Sequence, residues 1–234
     1  MKCIELILKN KNSVPLYNLE ILDPPERYKD YLLKQISKQN EEVDLEKIVG
    51  MFSREKHETT WFKALLGLRR RVLRLDPLQC YNSLESINLN YYTDIEYRKN
   101  VTDPWCIIYI NEKAYISDGY HRTTIAKFLS ALKIIPNKII IPEVIYYNVD
   151  LYNLKAHSRL MNKISLLQRL INEDFSIEIE IQKDNDKIIY FLNMKFRKYA
   201  YESYKQSFDS IKELRKEVFI SIRKYCLENK GSVK

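Results

Sequence analysis

A short polar cluster lies between two apolar segments in the middle of the chain. The stretch YISDGYHRTTIAKFL, residues 115–129, places Asp118, Gly119, His121 and Arg122 within five positions. The chain has only four glycines and three histidines, so two scarce residue types fall together here. Strand-like residues precede the cluster and helix-like residues follow it, which predicts a strand-to-helix junction.

A junction of this kind suits the binding of a phosphate group. The first backbone N–H groups of a helix lack intrahelical partners and carry partial positive charge, so they attract anions. A glycine lets a ligand approach the backbone, histidine and arginine add donors, and threonine hydroxyls either cap the helix or bond a phosphate oxygen. The predicted phosphate-binding or nucleotide-binding residues are Gly119, Tyr120, His121, Arg122, Thr123 and Thr124.

Asp118 would repel an anion unless it holds a cation or orients an arginine. Its presence therefore indicates a magnesium-bridged nucleotide. In that arrangement Asp118 binds the metal or acts as a base, His121 donates to a phosphate oxygen, and Arg122 neutralises charge during phosphoryl transfer. The alternative interpretation is structural: Asp118 or Gly119 turns the chain and caps the helix, while the two basic residues pair with local acids.

The elements around the cluster have clear signals. WCIIYI is a β-rich run, NEK is a tight turn and AYIS returns, which predicts a hairpin from residue 105. Ile125, Phe128, Leu129 and Leu132 then repeat at helical spacing, and IPEVIYYNV is a further strand. The predicted order is strand, strand, helix, strand.

The two flanks give weaker patterns. In the N-terminal flank we expect a strand at residues 2–9, helices at about 22–36, 43–52 and 58–73, and a polar connection with a short helical piece up to residue 100. In the C-terminal flank we expect a helix from residue 150, a hairpin that turns at Asp184 to Asp186, and a final helix over about 199–228. The apolar stripe of that helix indicates either a core-facing surface or a seam with a partner helix.

The segment WCIIYINEKAYISDGYHRTTIAKFLSALKIIPNKIIIPEVIYYNV resembles the core of the ParB/sulfiredoxin superfamily. In that group a hairpin is followed by a Gly-x-[His/Arg]-Arg box that opens a helix, and then by a strand of the Ile-Pro-x-x-Val type. Gly119, His121, Arg122, Ala126 and the IIIPEV run match this pattern. The resemblance covers about 45 to 75 residues, from near RLDPL at residue 74 at the earliest.

The resemblance implies nucleotide-phosphate binding at the box, with a nucleoside triphosphate (ATP or CTP) and Mg²⁺ as cofactors. Superfamily members include CTP-hydrolysing partition proteins, ATP-using sulfiredoxins, free-serine kinases and proteins described as nucleases. Tyr120 stands where the sulfiredoxin pattern has its catalytic cysteine, so sulfinic-acid repair is not expected. Partition proteins usually have Glu and then Arg-Arg after the glycine, and their helix-turn-helix is not evident here.

The resemblance and the patterns together predict an α+β fold with a small mixed sheet and a helix opened by the DGYHR box. We expect residues 1–73 to form a mainly helical N-terminal elaboration and residues 74–150 to form the ParB/sulfiredoxin-like core. Residues 151–234 are expected to add a helix, a hairpin and a long C-terminal helix packed on that core.

The composition narrows the classes of protein. A hydrophobic fraction of 45% and a charged fraction of 30% fit a soluble globular domain rather than a disordered chain. The net charge of +8 permits polyanionic partners without demanding them. Four scattered cysteines without CxxC spacing predict reduced thiols, and the absence of a long apolar run predicts a cytoplasmic protein that does not span a membrane.

The sequence leaves three functions open. The first is an NTP hydrolase or phosphotransferase that uses Asp118, His121 and Arg122. The second is a DNA-binding protein or a metal-dependent nuclease of the kind found in mobile elements and phages. Asp94 and Glu96 are the candidates for its further carboxylates, and a basic track would extend the contact with DNA, although a solvated surface is the favoured explanation of that track. The third is a non-catalytic regulatory protein that forms a homodimer through its C-terminal helix. The residues of the basic track are Arg69, Arg70, Arg71 and Arg74.

Overall fold

The structure is a computed structural model, and its described part divides into two compact units. The first unit comprises residues 1–26 and 34–148, and the second comprises residues 27–33 and 149–234. The residues that the structure describes are 7, 9–10, 19–52, 60–74, 89–94, 104–170, 175–184, 187–196 and 204–230.

A mixed five-stranded sheet forms the centre of the first unit. Its strands are β1 (Leu32–Asp44), β2 (Ile48–Met51), β3 (Cys106–Ile110), β4 (Lys113–Asp118) and β5 (Lys138–Val149). The order across the sheet is β1-β5-β3-β4-β2. β3 runs antiparallel to β4, whereas the β2–β4 and β3–β5 pairs are parallel. The mixed sheet confirms the predicted α+β class.

The α-helices that accompany this sheet include α1 (Trp61–Arg74), α2 (Asn90–Thr93) and α3 (Tyr120–Ala131), and a 3-10 turn at Leu45–Lys47 joins β1 to β2. Every residue of β3 is buried, as is every residue of α3 from Arg122 to Leu129. The hairpin between β3 and β4 turns at Asn111, whose φ of 54° lies in a region that asparagine tolerates well. These elements carry most of the hydrophobic core of the unit.

The second unit contains α4 (Leu151–Leu170), a three-stranded antiparallel sheet and α5 (Ile211–Lys230). Its strands are β6 (Phe175–Asp184), β7 (Lys187–Phe196) and β8 (Tyr204–Phe208), in that order across the sheet. A 3-10 helix at Tyr28–Tyr31 belongs to the same unit. Leu214, Val218 and Ile222 of α5 are four residues apart and buried, so one stripe of this helix faces the core.

The predictions for the middle of the chain are confirmed. The hairpin from residue 105, the helix after it, the strand after Pro136, the helix from residue 150 and the hairpin around residue 185 are all present. The predicted helix at 58–73 corresponds to α1, and the short helical piece corresponds to α2. Each of these elements has a strong local signal in its own residues.

The predictions for the two ends contain errors. The helices expected at 22–36 and 43–52 are wrong, because these residues form the 3-10 helix, β1 and β2. β1 is rich in Lys, Gln and Glu and largely exposed, so its conformation comes from pairing with β5 rather than from its own composition. The strand expected at 2–9 is also wrong where it can be compared, since Ile7 and Lys9 are helical.

The final helix begins later than the sequence predicted. Residues 204–208 form β8, which pairs with β7, and α5 starts only at Ile211. Ser210 Oγ accepts a hydrogen bond of 3.2 Å from the backbone N–H of Glu213. A serine followed three residues later by glutamate is a capping signal, and it marks this start in the sequence.

Candidate functional site

The polar cluster lies at the junction between β4 and α3, as the sequence predicted. Asp118 is the last residue of β4, and Gly119 precedes α3 with a φ of 79° and a ψ of 32°. Asp118 Oδ1 accepts a hydrogen bond of 2.6 Å from the backbone N–H of Gly119. The carboxylate and the glycine therefore form the turn that starts the helix.

Gly119 also lies against the indole ring of Trp105. A Cβ atom built at position 119 would lie 2.4 Å from Cδ1 of Trp105. The left-handed φ and the nearby ring each favour glycine, because glycine has no Cβ. These contacts explain the glycine without a ligand.

Arg122 points into the protein and is 8% exposed. Its Nη2 donates to the carbonyl oxygen of Pro104 at 2.8 Å, and its Nη1 donates to the hydroxyl of Tyr91 at 3.4 Å. The guanidinium also lies over the Trp105 ring, 5.8 Å from its centroid, and that ring stacks on Tyr91. Arg122 thus ties α3 to two segments that are distant in the sequence.

The two threonines of the cluster are fully buried. Thr123 Oγ1 accepts a hydrogen bond of 2.8 Å from Nε1 of Trp105 and donates to the carbonyl oxygen of Gly119 at 3.0 Å. Thr124 Oγ1 is buried without a hydrogen-bond partner within the described part of the chain. Both hydroxyls face the interior, so the phosphate roles predicted for them remain predictions.

The solvent-facing side of the cluster is formed by its other side chains. Asp118 is exposed, and Tyr120 and His121 are partly exposed. The rings of Tyr120 and His121 lie 5.7 Å apart at the start of α3. The predicted residues therefore lie at one junction, but some of their side chains are exposed to solvent and others are buried in the interior.

A buried lysine that is not among the predicted site residues lies about two turns further along α3. Lys127 is 4% exposed, and its Nζ donates to the carbonyl oxygens of Leu45 and Ile48 at 2.5 and 2.7 Å. The ammonium also lies 4.9 Å from the centroid of the Trp61 ring. Burial lowers the pKa of Lys127 to about 8, although Asp44 and Glu46 act in the opposite direction. Its position inside the apolar run IAKFL is the sequence signal for this burial.

Lys127 lines a cavity of about 1280 Å³ in the first unit. Most of the lining side chains are apolar, among them Trp61, Ile48 and Ile135, and charged groups such as Glu20 and Glu46 lie among them. Two of the three donors of the Lys127 ammonium are already used by backbone carbonyls. The lysine therefore joins α3 to the 3-10 turn at Leu45–Lys47 and to β2.

A concave surface with many cationic side chains lies in the second unit, between α4 and α5. This groove has a volume of about 710 Å³ and includes five cationic side chains in its lining. Three of these cationic residues lie on α4 at intervals of four residues, and the other two lie in the first turns of α5. We call this surface the basic groove, and its cations are Lys155, Arg159, Lys163, Lys212 and Arg215.

No acid is among the described residues that line the basic groove. Among the residues that the structure describes, none of the five cations forms an ion pair. Like charges four residues apart on a helix are destabilising by a few tenths of a kcal/mol. The buried side chains of Leu160 and Ile211 form part of its lining, and Tyr152, which is 79% exposed, lies one turn before Lys155.

The remaining predicted residues lie elsewhere. Arg69, Arg70, Arg71 and Arg74 belong to the C-terminal half of α1, and their side chains fall outside the described part of the structure. Asp94 follows α2, and Glu96 lies outside the described residues. Within the described ranges, no group of three or more His, Cys, Asp or Glu side chains could hold a metal ion.

The apolar stripe expected at a dimer seam is occupied within the chain itself. Phe208 lies on β8, and Leu214 and Ile222 lie on α5, and all three are buried in the second unit. These residues follow the core-facing alternative. A homodimer through α5 stays a prediction.

No protein-family model, curated protein or solved structure matches this chain. No helix within the described residues is both long and apolar enough to cross a membrane.

Proposed function

We propose that this chain binds nucleic acid through the basic groove. The observation that carries the proposal is the set of five cations that line one concave surface, with no acid among its described lining residues. Phosphate contacts from lysine and arginine supply most of the affinity of non-specific nucleic-acid binding. The net charge of +8 adds long-range attraction for a polyanion.

The spacing of the cations favours a repeating anion over a single one. The three cations of α4 are about 6 Å apart along the helix axis, because four residues of an α-helix span that distance. They are Lys155, Arg159 and Lys163. A ligand with phosphates at regular intervals contacts all three at once. Lys212 and Arg215 face the same groove from α5, so the charge lies on both walls.

Reversing one charge on each wall is expected to weaken nucleic-acid binding by about tenfold or more at low salt. The double variant carries Arg159→Glu and Arg215→Glu. The slope of log affinity against log salt concentration is negative, and each lost phosphate contact makes it less steep by about 0.7 for a single strand. Fluorescence anisotropy with a labelled oligonucleotide at several salt concentrations measures the affinity and the slope.

The matched control carries Lys34→Glu and Lys113→Glu. These two exposed lysines lie on β1 and β4, outside the groove, and their replacement changes the net charge by the same amount. The control is expected to keep the wild-type salt slope. Equal losses in both double variants would mean that only the overall charge matters, and this result would reject the groove as the site.

Nucleotide binding at the DGYHR box is a second candidate, with Mg²⁺ and ATP or CTP as ligands and NTP hydrolysis or phosphoryl transfer as the activity. It is favoured by the exposed Asp118 and the partly exposed His121 at the start of the twelve-residue helix α3. A carboxylate suits the metal, and a helix N-terminus with an imidazole suits a phosphate.

Calorimetric titration of ATP and CTP with Mg²⁺ tests this candidate. We expect micromolar binding of one nucleotide and its loss in His121→Ala, a variant that leaves the buried Arg122 in place. Ser117→Ala, at an exposed neighbouring position, is the control and should bind normally. If neither nucleotide gives heat with the wild-type protein, the candidate is rejected.

A further inference from the structure

We infer that the basic groove takes a single strand of nucleic acid and that Tyr152 stacks on one of its bases. This inference rests on the proposed function and adds to it the form of the ligand. It follows from the shape of the groove, from the exposure of one aromatic ring, and from the position of that ring relative to the cations.

The shape of the groove excludes a duplex from its interior. The axes of two packed helices lie about 8–10 Å apart. A double helix is wider than this, since its major groove alone measures about 12 Å. Proteins that read a duplex usually insert a protruding helix into that groove, whereas here the cations line a depression between two helices. A volume of about 710 Å³ holds a short length of a single strand.

Tyr152 supplies the second element of a single-strand site. Its side chain is 79% exposed, so its ring is available to a ligand. Exposed aromatic rings beside a positively charged groove stack on unpaired bases, and every base presents a suitable face. Bases in a duplex are already stacked on their neighbours and are not available in this way.

Tyr152 and the three cations of α4 lie in one row along the helix. Along α4, Tyr152 precedes Lys155 by three residues, and Arg159 and Lys163 follow at intervals of four. Residues at these spacings lie on one face of a helix. A strand whose phosphates follow the three cations therefore has its next base at the level of Tyr152.

The experiment compares Tyr152→Ala with the wild type on two probes. The probes are an oligodeoxythymidine and a blunt duplex of the same length, and affinity is measured by fluorescence anisotropy. Loss of one stacked base is expected to weaken the oligodeoxythymidine complex by about fivefold or more. Tyr152→Phe is expected to restore the affinity, because it keeps the aromatic face. Binding of the duplex should be weaker in the wild type and should not change in either variant.

Leu227→Ala is the control, because Leu227 is an exposed apolar residue of α5, 62% exposed, that lies outside the groove lining and well beyond Arg215 along that helix. It should bind both probes as the wild type does. If Arg159→Glu with Arg215→Glu weakens binding but Tyr152→Ala does not, the single-strand inference fails and the proposed function stands. If the charge variant has no effect either, both fail. Equal loss on strand and duplex in Tyr152→Ala also overturns the inference.

Discussion

Replacing Gly119 with alanine is expected to lower the free energy of unfolding by about 3 kcal/mol or more. The left-handed backbone at φ 79° costs an L-residue about 1–2 kcal/mol. The new Cβ would lie 2.4 Å from Cδ1 of Trp105, and overpacking of this kind adds about 1–3 kcal/mol. The Trp105 ring is held in place, because its Nε1 donates a hydrogen bond to Thr123 and the ring stacks on Tyr91. Urea denaturation followed by circular dichroism measures the loss.

Lys133→Gly is the control for the energetic cost of a left-handed backbone conformation. Lys133 follows α3 with a φ of 58° and is exposed, so glycine relieves strain there without removing a buried side chain. We expect its stability to be unchanged or to rise by up to about 1 kcal/mol. If Gly119→Ala keeps full stability and loses only nucleotide binding, the glycine serves the approach of a ligand, and the structural explanation given for it is wrong.

The location of the junction was predictable because its determinants are local. The strands of the hairpin are rich in isoleucine and tyrosine, the turn has two residues, and helical spacing begins after Gly119. The direction of the Arg122 side chain was not predictable in the same way. Its partners, Tyr91 and Pro104, precede it by 31 and 18 residues, and no local pattern connects them to α3.

The conformation of β1 also depends on residues that are distant in the sequence, so a local pattern did not predict it. Its composition is that of a solvated helix, and its sparse apolar residues can be read at helical spacing. The strand conformation comes from hydrogen bonding to β5, which lies about a hundred residues later in the chain. The basic groove is an intermediate case, because the repeat of Lys155, Arg159 and Lys163 is visible in the sequence. The opposing wall from α5 is visible only in the structure.

The burial of Lys127 has a measurable consequence for the pH dependence of stability. Burial lowers the pKa of its ammonium from 10.5 to about 8 in the folded chain. Between these two values the unfolded chain binds a proton that the folded chain has lost, so the contribution of Lys127 to stability rises with pH. A shift of this size corresponds to about 3 kcal/mol, because one pKa unit equals 1.36 kcal/mol.

Other groups titrate in the same range, so the wild type alone cannot isolate this effect. Burial raises the pKa of the Cys106 thiol to about 11 and that of the Tyr109 hydroxyl to about 12. The folded chain keeps those protons while the unfolded chain loses them, and this lowers stability as pH rises. The difference in stability between the wild type and Lys127→Met cancels these contributions, because both proteins contain them.

We therefore expect the stability of the wild type relative to Lys127→Met to increase by about 3 kcal/mol between pH 8 and pH 10.5. At pH 7 we expect a smaller difference in stability between the two proteins. Methionine removes the cost of burying a charge, but it leaves the carbonyls of Leu45 and Ile48 without their donor. Urea denaturation across this range measures the difference, and Lys113→Met, at an exposed position, should show no such trend. A flat difference for Lys127→Met would mean that the ammonium stays protonated in the fold, held by the two carbonyls and the Trp61 ring.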